Sequence, residues 1–103
     1  MAGVKEMALG IASTLRSGIA PNPLPVELWG HAPEDAAQLV KLVIDECVDA
    51  GIVLREIRVD PVIVHELTGS KSECGVVRRD VPISADTGCR GRVDIYSESL
   101  HPG

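Results

Sequence analysis

The chain has 103 residues and a formal net charge of −5, with 45% hydrophobic and 24% charged residues. That length fits one domain and not two. The acidic balance argues against non-specific nucleic-acid binding, which needs dense positive charge. No stretch approaches the roughly 20 apolar residues that span a bilayer, and Met1–Glu6 lacks the apolar run of a secretory signal.

One Trp, one Tyr and no Phe leave Val, Ile, Leu and Ala to build the core. Each brings less area than an aromatic ring, so the domain is expected to gain from a partner subunit. Cys47, Cys74 and Cys89 are odd in number and form no C-x-x-C pair, which points to reduced thiols in a cytoplasmic protein.

In chain order, Val4, Met7, Ala8, Ile11, Ala12 and Leu15 recur at helical spacing and predict a helix over 3–16, with Gly18 as its terminator. Gly10 inside it costs about 1 kcal/mol against Ala, so this helix leans on packing. Residues 19–33 hold four prolines and read as an ordered arm, because proline removes donors that a central strand or helix needs. Its Leu24, Val26, Leu28 and Trp29 either seal one end of the core or meet a second subunit.

Residues 34–50 are the clearest helix. Pro33 suits the first turn, Glu34 and Asp35 suit the positive end of the dipole, and Gly51 stops it. Asp45, Glu46 and Asp49 crowd the negative end and read as solvated charge. Residues 52–59 form a strand, with Arg55 expected beside Val53, Ile57 and Val59, and Glu56 and Arg58 beside Ile52 and Leu54. Its charges suggest an edge or half-covered strand. Asp60-Pro61 then opens a short helix, Asp60 capping its free N–H groups. Residues 74–83 and 91–97 are expected to pair as a hairpin across the polar loop 84–90, with Pro82 placing the first strand at an edge. Residues 98–103 read as a flexible tail.

Together these elements predict one α+β domain over residues 1–103. Two main helices pack on a small antiparallel or mixed sheet of three to four strands.

His65-Glu66 is half of a zinc-protease signature, but Gly69 stands where the second histidine belongs. No metal and no cofactor are therefore expected, and neither G-x-G-x-x-G nor a Walker loop is present. A catalytic alternative pairs His65 as base with Cys74 or Cys89 as nucleophile, Arg90 lowering the pKa of its neighbour Cys89. Six of the seven arginines fall within residues 55–92. Arg78, Arg79, Arg90 and Arg92 are candidates for contact with an acidic protein partner. Interspersed Glu56, Asp80 and Asp94 offer them internal partners, and only Tyr96 is nearby to stack a base, which argues against nucleic acid.

The runs I57-R-V-D-P61, H65-E-L67 and V77-R-R-D-V-P-I83 resemble short proteins encoded by phages and mobile elements, in which a strand ending in V-D-P leads to a short helix and a hairpin. The resemblance covers under half of the chain and implies a small structural or accessory protein, with no catalytic residue to carry over. The expected function is that of a soluble interaction or accessory protein acting as a homo-oligomer, a dimer or tetramer. The alternatives are a binding module for a small ligand or macromolecule, and an enzyme using His65 with a cysteine.

Overall fold

A computed structural model describes residues 3–18, 21–28, 30–68 and 76–97. Trp29, Cys74, Gly69 and the tail 98–103 lie outside the described residues. The elements are α1 (Val4–Arg16), β1 (Leu24–Glu27), α2 (Pro33–Asp49), β2 (Leu54–Val59), α3 (Pro61–Thr68), β3 (Val76–Arg78), β4 (Val81–Ala85), a short 3-10 turn (Thr87–Cys89) and β5 (Arg92–Ser97). The fold is α+β. Its mixed sheet has five strands in the order β1-β5-β2-β4-β3, rather than the expected three to four.

The two strands beyond the three segments 52–59, 74–83 and 91–97 have local causes. Within the arm, Leu24–Glu27 pairs antiparallel with β5 at the sheet edge. The Leu28 N–H donates to the Gly91 carbonyl at 2.8 Å. Antiparallel bonding alternates along a strand, so with Leu28 bonded inward, Pro25 falls at an outward-facing position. Its missing N–H costs the ladder nothing there, and the edge loses a donor that another strand would need. Asn22 extends this pairing with its side-chain amide, which donates to the Ser97 carbonyl at 2.9 Å and accepts from the Ser97 N–H at 3.2 Å.

The second extra strand arises because residues 74–83 do not run straight. Arg79 and Asp80 have φ of 50° and 68°, the left-handed backbone that a two-residue hairpin turn demands. That turn splits the segment into β3 and β4, which pair with each other from Val76↔Ile83 to Arg78↔Val81. β4 then runs parallel to β2, and β5 pairs with β1 and β2. The expected hairpin between 74–83 and 91–97 is therefore absent, because β2 lies between β4 and β5. The turn also resets the alternation. Val81 and Ile83 are buried while Val77 is 65% exposed, so they do not share a face.

All three helices cover one side of the sheet. Ala8, Ala12 and Leu15 of α1, Leu39, Val40, Val43, Ile44 and Cys47 of α2, and Ile63 and Val64 of α3 meet Ile57, Val59, Val81, Ile83, Val93 and Ile95 in one core. Leu28 is buried there too. β2 is central in strand order but covered on one side only. The α3 N-terminus is capped by Asp60, whose Oδ1 accepts from the Val62 N–H at 3.0 Å.

Candidate functional site

The side chains proposed for thiol chemistry are placed apart in character. His65 is exposed on α3, in the helix layer. Cys89 is buried in the 3-10 turn, and its thiol donates to Asp94 Oδ2 at 3.5 Å. Burial, then the Asp94 carboxylate, push the Cys89 pKa up. A neutral thiol donating to a carboxylate is the opposite of an activated nucleophile, and the cation that acts to lower this pKa is Arg92, with the smallest effect, not the expected Arg90. Cys47 lies in the core, where burial drives its pKa up to about 11. No group of three metal-ligating side chains is assembled among the described residues.

The arginines separate into engaged and free. Arg78 points to the helix side of β3, and its Nη2 donates to Asp45 Oδ2 on α2 at 2.9 Å. Arg79 in the turn reaches Asp49 at 3.0 Å and Asp45 at 3.7 Å. α2 has no basic residue in its last turn, so this hairpin supplies the positive charge that the negative helix end calls for. Arg78 holds the Asp45 carboxyl below its usual range. The acids at 45 and 49 are thus paired across the fold instead of merely solvated. Arg92 donates to both Asp94 oxygens, at 2.9 and 3.4 Å. Arg55 and Arg90 are exposed and make no ion pair among the described residues.

The polar side chains gather on the side of the sheet that no helix covers. The β2–β5 register shifts between Leu54 and Glu56. Leu54, Ile57 and Val59 are buried, whereas Arg55, Glu56 and Arg58 are not. This irregularity overturns the strict alternation expected for the strand and sets Arg55 and Glu56 consecutively on the open side, as bulges do. Arg58 Nε donates to Glu56 Oε1 at 3.1 Å, the Ser84 hydroxyl donates to Glu56 Oε2 at 2.9 Å, and the Arg58 guanidinium lies 5.1 Å from the Tyr96 ring centre. Arg58 also reaches Asp86 at 3.7 Å. Asn22, Arg55, Glu56, Arg58, Pro82 and Tyr96 line an open hollow of about 490 Å³ there. Nothing in the sequence separates Arg55 and Arg58 from the other arginines. Only the register shift and the hollow do.

A second concavity is apolar. It lies between α1 and the edge strand β1, has a volume of about 470 Å³, and is lined by Met7, Gly10, Ile11 and Thr14 with Leu24 to Glu27. Met7, Ile11, Leu24 and Val26 pack against the core yet remain half-buried. Nothing lies within 4 Å of a Cβ added at Gly10, so the helix backbone is accessible along this groove. Among the described residues no helix is long and apolar enough to cross a membrane.

Comparison of the chain with protein-family models, with curated proteins and with solved structures gives no match.

Proposed function

We propose that this protein is a small cytoplasmic accessory protein that works by docking, not by chemistry, and that it acts as a homo-oligomer whose subunits meet along the α1–β1 groove. The observation that carries this is the groove itself. Met7, Gly10, Ile11 and Thr14 form an i, i+3, i+4, i+7 stripe on α1, next to Leu24 and Val26, with apolar side chains only half covered. In an antiparallel pair of such helices, Gly10 of one copy receives Ile11 of the other and Met7 meets Thr14, so the stripe is self-complementary about a two-fold axis. Pro25 disfavours strand-to-strand pairing at this edge, which leaves side-chain packing as the mode of association. The thiol-enzyme alternative loses support from Cys89, buried and bonded to a carboxylate.

Sedimentation equilibrium at low micromolar concentration tests the proposal. The native protein is expected at dimer or tetramer mass. Gly10→Gln adds a side chain where the subunit has open space, so it leaves each subunit folded while obstructing the groove. It is expected to run as a monomer with an unchanged circular dichroism spectrum. A native protein of monomer mass sinks the homo-oligomer. An oligomer that survives Gly10→Gln removes the groove from its interface.

A further inference from the structure

The open face of the sheet carries a charge arrangement that its own folding does not use up. The acids of β2, β5 and the 3-10 turn have partners there. Glu56 receives Arg58 and Ser84, Asp94 receives Arg92 and the Cys89 thiol, and Asp86 receives the Gly88 N–H at 2.8 Å and Arg58 at 3.7 Å. Arg55 is the remaining cation of the hollow, exposed and without an ion-pair partner among the described residues. It is there because of the register shift at 54–56, an irregularity of the kind that re-aims a side chain.

The rest of the hollow is already ordered. Glu56 and Asp86 fix the Arg58 guanidinium, which lies over Tyr96. Pro82 adds an apolar wall. The volume of about 490 Å³ falls within the range of small-ligand sites, roughly 300–1,000 Å³. We infer that this hollow binds a small organic carboxylate, with the Arg55 guanidinium as the anchor of the anion and Pro82 as the wall against which its apolar body rests.

A carboxylate fits better than the other classes of ligand. A guanidinium presents parallel N–H donors that match a planar carboxylate. Phosphate recognition by a glycine-rich loop has no counterpart in the sequence. A nucleic-acid base would compete with Arg58 for the Tyr96 ring. A metal ion would have to take Glu56 from two hydrogen-bond donors.

The test is an NMR titration of ¹⁵N-labelled protein with benzoate, its neutral counterpart benzamide, inorganic phosphate and a hexaglutamate peptide. Benzoate is expected to bind saturably with a Kd of about 1 mM, shifting the amides of Glu56, Arg58 and Tyr96, while the other three do not saturate. Arg55→Gln is expected to weaken benzoate at least about tenfold, which corresponds to about 1.4 kcal/mol. Arg90→Gln, which removes an exposed arginine outside the hollow, is expected to leave binding unchanged. Absence of saturable binding by benzoate overturns the site, as do equal binding of benzamide and full binding by Arg55→Gln. Saturation by phosphate or hexaglutamate alone would overturn the ligand class.

Discussion

On the helix-covered side of the sheet, Ile57 of β2 lies beside Ile95 of β5 and Ile83 of β4, all essentially without solvent contact. One residue along each strand, on the other side, stand Arg58, Asp94 and Ser84, again side by side. The same three strands thus build two surfaces with different physics. The covered side gains stability from apolar area removed from water and tolerates no change of volume. The open side holds its charges in place with hydrogen bonds that water can replace, so most of its residues are available for recognition at small cost to the fold. Asp94 is the exception, at 8% exposure, because its oxygens are closed over by Arg92 and Cys89.

Substitutions on the two sides should therefore separate clearly. Ile57→Ala is expected to cost about 2–5 kcal/mol in urea unfolding, the range for a large-to-small change in a packed core. Tyr96→Ala, from the open side of the adjacent strand, is expected to cost less than about 1 kcal/mol, close to what a surface change does. Equal losses would break the comparison.

Asp94→Ala should fall between them, at about 2 kcal/mol, because it leaves a buried thiol without its acceptor and Arg92 with only the Gly88 carbonyl, at 3.3 Å. A loss below that of Tyr96→Ala would show the cluster to be peripheral.

Asp45→Asn probes the clasp between α2 and the β3–β4 turn, and is expected to cost on the order of 1 kcal/mol at neutral pH. Its pH dependence has a defined sign. Arg78 lowers the folded pKa of Asp45 below its ordinary value of 3.8, so the stabilisation is complete above that value and disappears as pH falls through the lower folded one. Unfolding curves of wild type and Asp45→Asn should differ at neutral pH and converge in strong acid. A difference that persisted unchanged in acid would rule out the ion pair as its cause.

The smallest perturbation is covalent labelling. Cys47 and Cys89 both have raised pKa values from burial, so iodoacetamide at about pH 8 should leave them unmodified in the folded protein and react with them on unfolding. Mass spectrometry of the digested protein reads this directly. Rapid native labelling of Cys89 would revive it as a reactive group.

Local signals in the sequence located the helices well. The apolar stripe of 4–15, the Pro33 start and Gly51 stop of α2, and the Asp60-Pro61 entry to α3 all act over one or two turns of chain. The hairpin at Arg79-Asp80 escaped because neither residue is the glycine that usually marks left-handed backbone. Arg79 is held there by Asp45 and Asp49, thirty or more positions away in the sequence. Arg78, Arg79 and Arg92 were visible as candidate contact residues, but their partners were not, and pairing is what turns them from a basic surface into internal clasps.

The sequence by itself determined the class of fold, the aliphatic character of the core, and the absence of an H-E-x-x-H pair at His65, since each depends on composition or on spacing within one element. Only the tertiary structure decided that β2 lies between β4 and β5, that Arg55 stands with Glu56 and Arg58 on an uncovered face, and that Cys89 donates to Asp94. Strand order and a register shift arise from pairing between distant segments, where a shift of one residue exchanges the buried and exposed sides of a strand.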